Sequence, residues 1–162
     1  MLKNAQKATR GEGGFTLIEL LVVMIIIAIL MAVAVPTFLK QKQSAVGTKA
    51  KANIKQVMTA IESCAAGNTS GMVSSNAQAE RNCTAPATLI QDEPSFQTLL
   101  GNANDQIQVA AVNTMGYTLT ARFVIDGGAA GTFVYTNNGA GQITRTCTPA
   151  NSKAGCVNGV WK

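Results

Sequence analysis

From Phe15 to Val35 every residue is apolar except Thr16 and Glu19, a run of 21 positions. At about 1.5 Å per helical residue this run spans roughly 31 Å, the thickness of a bilayer hydrocarbon core. Past Pro36 the pattern changes. Val46, Ala50, Ile54, Val57, Met58, Ile61 and Ala65 recur three and four residues apart, which puts them on one stripe of an amphipathic helix. The two patterns predict one helix from near Phe15 to near Ala66. Pro36 lacks an N–H and its ring meets the carbonyl of Ala32, so a kink is expected there. Gly47 weakens the second half. Gly67, before Asn68, is the expected left-handed cap. The first half is apolar all round, and only the second half requires a globular partner.

Asn68–Asp105 has little periodicity, and Pro86, Pro94 and several Gly, Ser and Asn mark it as a long loop, with a short helix near Ser95–Leu100. Alternation then takes over. Gln106–Val112 places Ile107, Val109 and Ala111 on one face. Tyr117–Ile125 sets Tyr117, Leu119, Ala121, Phe123 and Ile125 against Thr118, Thr120 and Arg122. Asp126-Gly127-Gly128 reads as a turn, and Gly131–Thr136 and Gly141–Thr146 as two more strands joined by Asn137–Ala140. Four strands with short turns predict an antiparallel meander that buries one face on the helix stripe, an α+β fold. Cys147–Lys162 is expected to be irregular, with Trp161 packing back on the sheet.

Charge and cysteine content refine this picture. The net charge is +5, and Lys40, Lys42, Lys49, Lys51 and Lys55 supply five of the 13 basic residues. Such a run permits binding to nucleic acid or anionic lipid, but on a helix it reads first as a solvated face. The four cysteines, Cys64, Cys83, Cys147 and Cys156, form no C-x-x-C pair, and the chain has no histidine. An even count behind an apolar N-terminal run fits disulfides in an exported domain. Three connectivities are open, and the sequence-local pairs Cys64–Cys83 and Cys147–Cys156 are preferred. Without histidine, Ser-His-Asp and Cys-His catalysis is excluded. Glu62, Glu80, Asp92, Glu93, Asp105 and Asp126 are scattered, and there is no phosphate-binding G-x-x-x-x-G-K-[ST] loop. No enzyme, metal or cofactor is indicated. Two glycosylation sequons, at Asn68 and Asn82, read as chance.

The N-terminal residues carry the most specific signal. Lys3, Lys7 and Arg10 precede Gly11, Gly13 and Gly14, and then comes Gly14-Phe15-Thr16-Leu17-Ile18-Glu19. An ordinary secretory signal would share the basic start, and Ala32-Val33-Ala34 offers it a cleavage site. That apolar run is too long for such a signal, however, and Glu19 interrupts it. The Gly-Phe-Thr-Leu-Ile-Glu run closely resembles the class III signal of type IV prepilins, and Pro36 falls where such pilins have a kinking proline.

The resemblance implies a type IV pilin fold: a long N-terminal helix packed on a four-stranded antiparallel sheet. It implies a leader at 1–14, a transmembrane and filament-core helix at 15–36, an amphipathic half at 37–66 and a globular head at 67–162. Cleavage would fall between Gly14 and Phe15, and the new amine of Phe15 would be methylated. Glu19 would pair with the Phe15 amine of a neighbouring subunit, the bland alternative being a carboxylate snorkelling at the interface. The implied partners are identical or related pilin subunits, a prepilin peptidase/methyltransferase, a platform protein and an ATPase, and the membrane before assembly. DNA or a surface receptor could be bound by the filament. The expected location is the cytoplasmic membrane, single-pass with the C-terminal domain outside, and then an extracellular pilus. Counting Lys and Arg at the two ends of the span favours the opposite orientation; the leader and the cysteines outweigh it. A pseudopilin of a type II secretion system is the alternative. The lack of any acidic residue after Asp126 counts against the calcium-holding kind. A membrane-anchored binding module that never polymerises is a third reading.

Overall fold

The computed structural model describes residues 14–73, 80–125 and 128–162. The leader up to residue 13, and Asp126-Gly127 of the expected turn, lie outside the described residues. The elements run in the order α1 (Leu17–Ala66), α2 (Pro86–Asp92), α3 (Phe96–Leu99), β1 (Ile107–Ala111), β2 (Tyr117–Val124), β3 (Ala130–Asn137) and β4 (Ile143–Thr148). The chain forms two compact units, Met1–Phe38 and Leu39–Lys162.

The second unit holds the core. Its part of α1 buries Gly47, Ala50, Ile54, Val57, Ile61, Cys64 and Ala65, a three-four alternation that keeps one stripe inward. The four strands form one antiparallel sheet in the order β1-β2-β3-β4. Period two sends Tyr117, Leu119, Ala121 and Phe123 of β2 and Phe133 and Tyr135 of β3 into that core. Phe123 and Phe133 stack with centroids 4.7 Å apart, and Trp161 meets Phe133 edge-on at 5.7 Å. The indole N–H of Trp161 donates to the carbonyl of Val134 at 3.0 Å, which fixes the C-terminal segment on the sheet. Cys64 is joined to Cys83 and Cys147 to Cys156, the sequence-local pairs.

Several local expectations need correction. Gly67 is not left-handed, and the first positive φ past the helix belongs to Gly71 at 67°. Instead α1 ends by tightening: the N–H groups of Gly67 and Asn68 donate three residues back, to Cys64 and Ala65, each at 3.0 Å. Asn68 then secures the loop. Its amide donates to the carbonyls of Met72 and Arg81 at 2.7 and 2.8 Å and accepts the Arg81 N–H at 3.0 Å.

The loop also contains a helix that its composition hid. Pro86 is the first residue of α2, where a missing N–H costs nothing, so here proline starts an element rather than breaking one. The face shared by Ile107, Val109 and Ala111 leaves the core along β1: Ile107 is buried, Val109 half-buried and Ala111 exposed. β4 begins two residues later than expected and runs through Cys147 to Thr148. Gly141, with φ 84°, belongs to the turn before it.

Gly47 has a specific cause. It is buried where the backbone at Ala154 crosses α1, and a Cβ there would lie 2.6 Å from the Ala154 carbonyl carbon and 2.9 Å from its Cα. The glycine that weakens the helix in isolation is what lets the C-terminal segment reach it. Lys51, one turn on, is not a free solvated lysine either. It donates to the carbonyl of Gly155 at 3.2 Å and sits over the Phe133 ring at 5.3 Å.

Candidate functional site

Gly14, Phe15 and Thr16 precede α1 as irregular chain, and Phe15 is 85% exposed. Every large apolar side chain from Leu17 to Leu39 is exposed, so among the described residues nothing covers this face. A contiguous apolar surface of this size marks a contact with lipid or with other protein. α1 is long and apolar enough to cross a membrane.

Glu19 lies in the first turn and is not idle there. Its carboxylate accepts the Thr16 N–H at 3.0 Å and the Thr16 hydroxyl at 2.8 Å, while the Thr16 hydroxyl accepts the Glu19 N–H at 3.3 Å. This is a reciprocal capping box, Thr-x-x-Glu, which satisfies backbone donors that the helix start leaves open. The spacing Thr16-Leu17-Ile18-Glu19 carries that pattern in the sequence itself, and the structure adds Thr16 to the residues that form this N-terminal site.

α1 continues through Pro36. The proline removes one donor from the ladder. Nearby, the Thr37 hydroxyl donates to the carbonyls of Ala34 at 2.8 Å and Val33 at 3.5 Å. Other sites marked in the sequence are structural. Asn68 is buried with its amide fully engaged, and the Asn82 side chain accepts from the N–H and hydroxyl of Thr84 at 3.1 and 2.8 Å.

In the head, the Tyr117 hydroxyl donates to Glu62 at 2.8 Å. Burial first, and then the Glu62 carboxylate, push the Tyr117 hydroxyl well above its ordinary range. Burial and Glu62 also raise Tyr135, with Arg145 pulling the other way. Among the described residues no group of three or more Cys, Asp or Glu is placed to hold a metal ion.

The capped, exposed apolar segment coincides with the part of the chain that known proteins share. The family described as "Prokaryotic N-terminal methylation motif" matches residues 9–35. The N-terminal third of the chain is thus similar to part of a type IV pilin and to part of a type II secretion protein. Over 50 residues it is 48% identical to the type IV major pilin protein PilA of Myxococcus xanthus, covering 31% of this chain and 23% of that protein. Over 53 residues it is 42% identical to the type II secretion system core protein G of Pseudomonas aeruginosa, covering 33% of this chain and 37% of that one. The chain therefore spans well under half the length of these relatives. No solved structure matches it.

Proposed function

We propose that this chain is a structural subunit of a type IV pilus, cleaved between Gly14 and Phe15 and methylated on the new Phe15 amine. The observation that carries the reading is the wholly exposed apolar face from Leu17 to Leu39, most of which lies within the matched N-terminal methylation motif at residues 9–35. Lipid covers that face before assembly, and the same face of neighbouring subunits covers it afterwards, with Pro36 as the point where the helix bends. The leader, the membrane helix at 15–36, the amphipathic half at 37–66 and the head at 67–162 then have separate tasks.

Lipid tails are as apolar as these side chains, so moving the face from lipid to a core of helices gains van der Waals packing rather than hydrophobic transfer energy, and little axial specificity. A carboxylate near the start supplies the register. Glu19 of one subunit receives the amine of Phe15 from the next, a pair strengthened by low dielectric and opposed by desolvation. The head stays outside the cytoplasmic membrane, and a peptidase/methyltransferase, a platform protein and an ATPase process and extract the subunit. Mass spectrometry of sheared surface filaments tests this directly. The expected N-terminus is methylated Phe15, and a start near Val35 overturns the reading.

The match to core protein G favours a second reading, a pseudopilin of a type II secretion system. A deletion strain separates the two. Loss of surface filaments with intact protein export supports the pilus, and loss of export supports the pseudopilus.

A further inference from the structure

Between α1 and the β3–β4 side of the sheet lies a cleft of about 220 Å³. Its walls are apolar and aromatic: Ile54 and Met58 from α1, Tyr135 from β3, and Trp161. Its charged groups are all cationic. Lys55 comes from α1 and Arg145 from β4, and Lys162 adds a third. The Arg145 guanidinium lies over both rings, 5.9 Å from the Tyr135 centroid and 5.7 Å from that of Trp161. Among the described residues no carboxylate lies within salt-bridge distance of Lys55, Arg145 or Lys162, the two ion pairs being Lys49–Asp105 and Arg81–Asp92. Glu62 is committed to the Tyr117 hydroxyl. The cleft therefore carries an excess of cationic side chains without direct ion-pair partners beside an apolar floor, which is the complement of an anion carried on a compact, partly apolar body.

We propose that this cleft binds the carboxylate of a hexuronic acid unit in an acidic polysaccharide. The Arg145 fork and the Lys55 ammonium take the carboxylate. The C–H face of the sugar ring packs on the half-buried Met58 side chain and the aliphatic stem of Lys55. The volume suits one sugar ring and is too narrow for a helix or a paired strand. A nucleic acid fits less well, because stacking bases need an open ring face. Trp161 and Tyr135 are each only 3% exposed, with Arg145 over them. The residues involved all lie in the unit Leu39–Lys162, so binding does not depend on polymerisation, and a failure here leaves the filament reading untouched.

The test uses the full chain in neutral detergent, titrated with trigalacturonate. Calorimetry measures affinity, and Trp161, the only tryptophan in the chain, reports occupancy by fluorescence. Saturable binding is expected. Its methyl ester, neutral and of similar shape, should bind at least about tenfold more weakly, as should the variants Arg145→Gln and Lys55→Gln. Arg145→Lys should retain part of the affinity. Lys55 is exposed, so Lys55→Gln tests the charge even where Arg145→Gln disturbs the rings. No binding of trigalacturonate overturns the proposal. So does equal affinity for the methyl ester, unchanged affinity in both glutamine variants, or tighter binding of an oligothymidylate or a polyglutamate peptide.

Discussion

Replacing Gly47 by alanine sets two effects of opposite sign against each other. In an isolated helix the change is favourable by about 0.5–1 kcal/mol, because glycine loses the most backbone freedom on folding. Here the new Cβ meets backbone atoms of Ala154, at 2.6 and 2.9 Å from its carbonyl carbon and Cα, and nearer still to its carbonyl oxygen. A flexible side chain could turn away, but this backbone cannot easily retreat. It lies inside the loop closed by Cys147–Cys156, and the neighbouring Gly155 carbonyl accepts from Lys51 at 3.2 Å. Overpacking costs about 1–3 kcal/mol, and a clash with tethered backbone belongs at the upper end. The net expectation is a loss of about 1–2 kcal/mol. For a domain of this size that lowers the melting temperature by about 5 °C or more. Trp161 supplies the assay, since it is buried and anchored by the same segment. Thermal unfolding of the full chain in detergent should show the lower midpoint, with a red shift of native tryptophan emission. A midpoint equal to or above that of the parent chain, with unshifted emission, would refute the seating of Ala154 on α1.

Three further outcomes follow from the head. Both tyrosines of the chain are raised in the folded state, so their contribution to stability is complete below the unfolded value of about 10 and is lost as pH climbs from there; tyrosinate absorbance at 295 nm should rise at higher pH in the folded chain than in the urea-unfolded chain, and a folded-chain midpoint at or below the unfolded one would contradict this. Replacing Cys64 and Cys83, 19 residues apart, by serine should cost roughly 3 kcal/mol in urea unfolding, because the bridge closes an irregular loop onto the end of α1; an unchanged midpoint would show that the loop is held by Asn68 alone. A fragment beginning at Gln43 should be a soluble monomer by light scattering, since it retains the whole buried stripe and discards the exposed apolar face; aggregation under oxidising conditions would place the core boundary further toward the N-terminus.

β2, β3 and the second half of α1 were legible because each follows a single period, and the first half of α1 because it is apolar throughout. Tyr117–Val124 is buried at every second residue, and the stripe from Ala50 to Ala65 at every third or fourth. What escaped the sequence depended on contacts between distant residues. Gly47 looked like a weakness because the reason for it, Ala154, lies more than a hundred positions away. Lys51 looked like one of five solvated lysines for the same reason. The Arg145 cleft needed β4 to place its side chain beside α1 and Trp161. α2 was hidden because a proline was taken as a breaker at a position where it initiates. The Thr16–Glu19 box was legible from its spacing alone, and the weight given to the charge of Glu19 obscured it.

That box makes the decisive measurement a comparison of two substitutions. Glu19→Leu removes both the charge and the cap, whereas Glu19→Gln keeps an acceptor for the Thr16 N–H and removes only the charge. If Glu19 sets the register of assembly through the amine of Phe15, both variants should be made, cleaved after Gly14 and held in the membrane, and both should fail to assemble. Filament yield, measured as pelleted sheared material against the membrane pool, should fall by about tenfold or more in each. Parent-level yield from Glu19→Gln, with loss confined to Glu19→Leu, would show that Glu19 serves only to start its own helix and would contradict the account.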